Sequence, residues 1–220
     1  MQNRADNRGL PRTAEICLAL AGLALLFPLF VVLAVIVKSS SKGAIFFRQK
    51  RIGRGGSEFV LYKFRSMRSD SAGLKLTAED DLRLTRAGKW LRRYKLDELP
   101  QLWNVFRGDM SLVGPRPEVA EYVDLKNPLW REILSVRPGI TDPVALRLRN
   151  EEQLLASIED KEAFYTEILQ PFKLRGWAEY ARHKTWKSDL SILLRTFKVI
   201  LLPGTAAPPT REELSIAVIE

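Results

Sequence analysis

The sequence predicts an α+β, mainly helical fold with an N-terminal membrane element, a short β-hairpin and amphipathic interfacial helices. Residues 16–37 form an uncharged run of twenty-two residues with Pro28 near its midpoint. Two short apolar-aromatic stretches flank a glycine-rich turn, the pattern of a hairpin. Beyond residue 150, charged and apolar residues alternate at mainly helical spacing. At 220 residues the chain suits one domain with an anchor, and its 46% hydrophobic content is enough for a core.

The apolar run "ICLALAGLALLFPLFVVLAVIV" is long enough, as one straight helix of roughly 33 Å, to cross the hydrocarbon layer. It is too long for a secretory signal, and no small-x-small cleavage site precedes Lys38. Arg4, Arg8 and Arg12 precede it; Lys38, Lys42, Arg48, Lys50 and Arg51 follow it. Basic flanks on both sides give no single direction by the positive-inside rule. A helix that bends at Pro28 and returns explains both features, because proline removes a helix hydrogen bond and clashes with the preceding turn. A spanning helix with a tolerated kink explains them too, and the residues alone leave both open.

Ala44–Phe47 and Phe59–Tyr62 bracket Gly53-Arg54-Gly55-Gly56, predicting a hairpin studded with Arg48, Lys50, Arg51, Lys63 and Arg65. The glycines lack the Walker lysine or Rossmann context that would make them a phosphate loop. Residues 69–84 are polar and predict a loop. Thr85 is an N-cap for a following helix. Asp97 is expected to cap the next one, with Pro100 in its first turn and Leu99, Leu102, Val105 and Phe106 as the buried stripe. Gly108 is its stop. "SLVGPRPE" (111–118) and "RPGITDP" (137–143) are stiff proline-glycine loops, each carrying an arginine. Trp177, Tyr180, Trp186, Leu190, Leu193, Leu194 and Phe197 are packing or membrane-surface groups. A proline-rich stretch opens the tail after residue 202, which is expected to contribute little to the fold.

Charge is concentrated. Residues 42–107 hold sixteen Lys and Arg against seven Asp and Glu, an excess equal to the +9 of the whole chain. Such a block points to anionic partners: nucleic acid, acidic lipid or phosphorylated small molecules. One cysteine excludes an internal disulfide framework, and the single His183 excludes paired-histidine chemistry. Acid–base or metal work falls to carboxylates, Lys, Arg and Tyr.

Within the basic block, "YKLDELPQLW" places Asp97 beside Glu98. A carboxylate at a helix start near arginines is expected to stay ionised, and the same field favours a phosphate. Bringing a second anion close needs a divalent cation or several Arg and Lys between the two. Glu98 is an oxygen ligand suited to Mg²⁺, which commonly uses one or two carboxylates plus substrate phosphates. The alternative is structural: Asp97 caps, and Glu98 pairs with Arg93 or Lys95.

"FFRQKRIGRGG", "YKFRSM", "DELPQLWNVFRGDMSLVGPRPE" and "VRPGIT" occur in the order and spacing of the bacterial sugar transferases. The chain resembles the small monotopic phosphoglycosyl transferases of this family from the membrane helix through Thr141. The resemblance implies that Asp97 attacks the β-phosphate of a UDP-sugar, releasing UMP and leaving a phosphosugar on the aspartate. A membrane polyprenyl (undecaprenyl) phosphate then takes the sugar phosphate. It implies that Glu98 helps hold Mg²⁺, and that Lys63, Arg65, Arg116 and Arg137 hold phosphates. It implies an N-terminal cytoplasmic segment (1–15), a re-entrant helix broken at Pro28 (16–37), a catalytic domain (38–202) and a C-terminal tail (203–220). The expected location is the bacterial inner membrane, with the catalytic domain on the cytoplasmic face. The implied partners are the UDP-sugar, the polyprenyl phosphate and membrane lipids, without nucleic acid and with room for a homo-oligomer.

Three departures stand out. Phe27 precedes Pro28 where many relatives carry serine, whose hydroxyl can bond back to the preceding turn. "PGITDPVALRLRN" replaces the frequent "PGITGWAQVNGRN", leaving the role of residues 142–150 open. The chain is expected to be a minimal catalytic form, without the large multispanning N-terminal region of longer relatives. The competing classes are a nucleic-acid-binding protein and a non-catalytic membrane-surface scaffold, both resting on the basic block.

Overall fold

A computed structural model describes residues 8–68, 81–156, 158–202, 205, 208–210, 213 and 214. The described residues are mostly helical, with two two-stranded sheets. The apolar run forms two helices, α1 (Arg12–Leu25) and α2 (Phe27–Ser40), bent by 62°. Pro28 lies in the first turn of α2 and has no N–H to continue the α1 ladder. The ladder stops with Leu26 N bonding Gly22 O at 2.9 Å and restarts with Phe30 N bonding Leu26 O at 2.9 Å. Proline therefore breaks the helix without a neighbouring serine.

Both ends of this bent pair are tied to the rest of the protein. Arg8 donates to the Ala181 and Arg182 carbonyls, and Leu10 N to Asp189 Oδ2. Arg12 donates to the carbonyls of Val105 and Met110, while buried Glu15 accepts from Ser111 Oγ at 2.6 Å and Leu112 N at 3.1 Å. At the other end, Leu33 and Val37 pack with Phe64 and Leu91. The boundary expected at residue 15 thus falls inside α1, and residues 8–15 are docked rather than separate. Arginine and glutamate outside the apolar run carry that docking, so hydropathy alone does not reveal it.

The hairpin forms as expected. β1 (Phe46–Ile52) pairs antiparallel with β2 (Glu58–Phe64), Phe47 opposite Lys63. Gly55 and Gly56 take φ values of 71° and 81° in the turn, a region glycine enters without a Cβ clash. Of the expected loop 69–84, residues 69–80 lie outside the described residues. Thr85 caps α3 (Arg86–Arg93), its Oγ1 accepting from Gly88 N at 2.8 Å. A one-turn 3₁₀ helix (Leu96–Glu98) leads through Pro100 into α4 (Gln101–Arg107), which stops at Gly108 with φ 96°. Val105 is wholly buried; Leu99, Leu102 and Phe106 pack at core edges.

The two proline-glycine segments each contribute to a parallel strand pair. β3 (Ser111–Val113) runs beside β4 (Gly139–Thr141), an arrangement not expected from segments this short. The glycines explain it. A Cβ on Gly114 would lie 2.3 Å from the Arg137 carbonyl oxygen, and one on Gly139 would lie 2.0 Å from Gly114 N. Only bare backbone allows that approach.

The C-terminal half is helical: α5 (Pro128–Ile133), α6 (Pro143–Arg147), α7 (Glu151–Ala156), α8 (Lys161–Phe164) with a π turn to Leu169, α9 (Gln170–His183) and α10 (Trp186–Leu201). Its core includes Trp130, Tyr165, Leu169 and Trp177. The divergent Asp142 is a helix cap here. Its Oδ1 accepts from Val144 N and Ala145 N and from Trp177 Nε1 at 3.1 Å, and burial pushes its carboxyl up to about 6. The tail is not idle: Leu214 joins the Trp177 core, and Glu213 pairs with Arg147 at 2.6 Å. A lone leucine beyond a proline-rich linker has no periodic context to reveal such packing.

Candidate active site

The acid pair follows a strained corner. Lys95 has φ 56° and ψ 21°, the one positive φ outside glycine among the described residues. That conformation costs a non-glycine residue roughly 1 kcal/mol and turns the chain from α3 into the 3₁₀ turn. Asp97 and Glu98 are 5% and 8% exposed.

Asp97 makes no side-chain cap, contrary to expectation, because the 3₁₀ turn and Pro100 separate it from α4. Its Oδ1 is buried with no hydrogen-bond partner among the described residues. Glu98 pairs with neither Arg93 nor Lys95. Its Oε1 accepts from Arg116 Nη2 at 2.8 Å and Lys63 Nζ at 3.2 Å, and Oε2 lies 3.4 Å from Arg116 Nη1.

Each cation is delivered by a different element. Lys63 comes from β2, which α4 holds through Asn104: its Oδ1 accepts from Tyr62 N at 3.1 Å and its Nδ2 donates to Val60 O at 2.7 Å. Arg116 stands between Pro115 and Pro117 in a segment pinned on both sides. Gly139 N donates to Pro115 O, Arg51 to Pro117 O, and Ile52 N to Glu118 O. Glu118 in turn accepts from Tyr165 Oη at 2.8 Å and Arg51 Nη1 at 3.3 Å. Neither Asn104 nor Glu118 has a charge pattern that sets it apart in the sequence.

The electrostatics split the pair. Burial pushes Asp97 above the usual carboxylate range, Lys63 pulls it back, and Glu98 adds to the rise. The helix-start argument does not apply, since no α-helix begins on Asp97: desolvation raises its carboxyl, and Lys63, Arg92 and Lys95 favour the charged form in place of a dipole. Burial would raise Glu98 too, but Arg116, Lys63 and Lys95 hold it well below the usual range. Glu98 raises the Arg116 guanidinium in return. Burial lowers the Lys63 ammonium to about 8 against the pull of Glu98.

Of the expected phosphate holders, Lys63 and Arg116 meet at the acid pair. Arg65 does not: its guanidinium donates to the Ala44, Val37 and Ser41 carbonyls, closing the end of α2. Arg137 donates from Nε to Gly108 O at 3.1 Å, beyond the end of α4. Arg92, not singled out from the sequence, acts on both Asp97 and Lys63, and its Nε donates to Glu152 Oε1 at 2.9 Å. Gln101, one turn after Asp97, is 1% exposed and was equally inconspicuous among the polar residues of its helix.

A buried acid with an unpartnered oxygen, beside an anion already neutralised by lysine and arginine, is suited to chemistry on a phosphoryl group. The chain belongs to the bacterial sugar transferase family, whose sequence model matches residues 6–203. It is 35% identical over 201 residues to a UDP-glucose:undecaprenyl-phosphate glucose-1-phosphate transferase of Caulobacter vibrioides, covering 89% of this chain and 71% of that protein. A UDP-N-acetylgalactosamine-undecaprenyl-phosphate N-acetylgalactosaminephosphotransferase of Aeromonas hydrophila is 42% identical over 137 residues, 60% of this chain and 32% of that one. A UDP-glucose:undecaprenyl-phosphate glucose-1-phosphate transferase of Xanthomonas campestris pv. campestris is 48% identical over 130 residues, 56% of this chain and 27% of that one. The chain spans about a third of the length of the first curated relatives it matches.

The Lys63 environment is directly testable. As pH rises through about 8 the ammonium should lose its proton, well before an ordinary lysine at 10.5. Glu98 favours the charged form, so Glu98→Gln should lower the midpoint further. Side-chain ¹⁵N NMR titration reads both midpoints; a wild-type value at 10.5 contradicts the buried cluster.

Proposed function

We propose that this protein transfers a sugar 1-phosphate from a UDP-sugar to a membrane polyprenyl phosphate and releases UMP. The observation that carries the proposal is the split acid pair, with Glu98 Oε1 held by Lys63 and Arg116 and Asp97 Oδ1 buried without a partner among the described residues. A carboxylate oxygen attacks the β-phosphorus of the UDP-sugar. The bond from that phosphorus to the bridging oxygen breaks, and UMP leaves with the electron pair. An oxygen of the polyprenyl phosphate then attacks the same phosphorus, and the aspartate leaves as a carboxylate. No proton transfer is needed at the phosphorus in either step. Lys63 and Arg116 hold phosphate oxygens while keeping Glu98 ionised.

Among the described residues no group of three or more His, Cys, Asp and Glu could hold a metal ion. The donors present nonetheless fit Mg²⁺, which takes one or two carboxylates and completes its shell with phosphate and water. Glu98 Oε2, with only its long contact to Arg116, is the oxygen to hold it. Bound there, the ion would offset the charge of the diphosphate. Purified protein given a UDP-sugar, a polyprenyl phosphate and Mg²⁺ should release UMP, and EDTA should stop it. Asp97→Asn keeps the shape but loses the nucleophile, so it should fold normally and lose turnover. UMP release by Asp97→Asn at the wild-type rate would refute the assignment.

We further propose that α1 and α2 form a re-entrant hairpin, with the catalytic residues on the cytoplasmic face of the bacterial inner membrane. No single helix among the described residues is long and apolar enough to cross a membrane. Each 14-residue arm reaches roughly 21 Å, short of the hydrocarbon thickness. Arg8, Arg12 and Glu15 at one end and Arg65 at the other hold both ends to the same domain. The elbow residues Leu25 and Phe27 are 81% and 65% exposed. Along α10, Trp186, Leu190, Leu194, Phe197 and Leu201 form an exposed apolar stripe, with Lys187 and Lys198 on the same helix, as in a helix lying at the bilayer surface. A cysteine introduced at Asn3 in a Cys17→Ala background should be shielded from an impermeant reagent in intact cells. Labelling from outside would establish a spanning helix instead.

A further inference from the structure

Four buried side-chain polar atoms have no hydrogen-bond partner among the described residues, and they fall in two places. Ser41 Oγ and Arg65 Nε lie at the end of α2, where the same guanidinium already makes several bonds to carbonyls. The other two are Asp97 Oδ1, an acceptor, and Gln101 Nε2, a donor. The chain between them follows a 3₁₀-like path: Leu99 N bonds Leu96 O at 3.4 Å and Leu102 N bonds Leu99 O at 3.1 Å. Four residues along such a path advance about one and a third turns, so the two side chains are neighbours along the turn rather than eclipsed. Gln101 thus sits one turn beyond the candidate nucleophile.

A buried amide N–H without a partner bears its full desolvation penalty, and native structures seldom keep one without a reason. Leucine or methionine would fill the same space without that penalty. The donor and the Asp97 acceptor do not satisfy each other, although they lie one turn apart. Both are explained if the missing partners arrive together on a ligand, an electrophilic phosphorus for Asp97 and one of its oxygens for Gln101.

We propose that Gln101 is a catalytic hydrogen-bond donor, giving Nε2–H to a non-bridging oxygen of the phosphoryl group that Asp97 attacks. This rests on the transfer reaction proposed above. The amide neither gains nor loses a proton. It meets charge on the equatorial oxygens as the leaving group departs, from a position already fixed by burial. Being neutral, it adds a donor without adding to the positive charge of Lys63 and Arg116.

Gln101→Met and Gln101→Leu both remove the donor without adding a charge or an acid. With Gln101→Met, kcat for UMP release should fall about 100-fold, as when an oxyanion donor is lost, with KM for the UDP-sugar changing far less. Its Tm without ligand should equal or exceed that of wild type, because an unsatisfied buried donor has been removed. Calorimetric binding of inorganic pyrophosphate with Mg²⁺ should weaken several-fold in both variants. A lower Tm with unchanged kcat would make Gln101 a packing residue and overturn the proposal. The transfer reaction itself is judged on wild-type UMP release. Should that fail, equal pyrophosphate affinity in wild type and both variants would still overturn the donor assignment, and weaker affinity in the variants would uphold it.

Discussion

The Arg116–Glu98 ion pair, with Lys63 on the same carboxylate oxygen, is the interaction on which the site depends. Two neighbouring carboxylates are buried together, and that is tolerable only if cations share their charge. Arg116 and Lys63 give that charge to Glu98, so Glu98 stays an anion while Asp97 Oδ1 is left buried without a hydrogen-bond partner among the described residues. Removing one member of a buried pair typically costs about 3–5 kcal/mol, because the other charge is stranded. The surrounding architecture serves to hold these three groups still. Prolines and glycines fix the Arg116 segment against β4, and Asn104 fixes the helix after the acids against the strand that bears Lys63.

The same helix links the site to the N-terminal element. Arg12, at the start of α1, bonds the carbonyls of Val105 in α4 and of Met110 just beyond it. Arg65 closes the end of α2 two residues after Lys63 leaves β2. The bent helix pair and the acid pair therefore share their supports. That sharing supports the proposed reaction, in which a lipid phosphate and a soluble nucleotide meet one carboxylate.

Much of this was legible in the sequence because it rests on local rules. The break at Pro28, the glycine turn of the hairpin, the Thr85 cap and the Gly108 stop each follow from the conformational limits of one residue. The association of Asp97, Glu98, Lys63 and Arg116 came from motif resemblance, since no spacing rule brings positions 63, 98 and 116 together. Arg65 shows the limit of that route: its place in a basic motif does not say whether its guanidinium meets a phosphate or a helix end. The parallel pairing of β3 and β4, the docking of Glu15 and the packing of Leu214 are long-range contacts without periodic signature. The rise of Asp97 was missed for a related reason. Desolvation depends on what covers a residue, whereas a helix dipole can be read from position alone.

The central claim is that Asp97, beside the Arg116–Glu98–Lys63 cluster, is the nucleophile. Intact-protein and peptide mass spectrometry after mixing with a UDP-sugar, without any polyprenyl phosphate, tests it most directly. The account predicts a sugar-phosphate adduct on the Asp97 peptide and a burst of UMP not exceeding one per protein. UMP formed only when both substrates are present, with no adduct at any time, would mean direct transfer and contradict it.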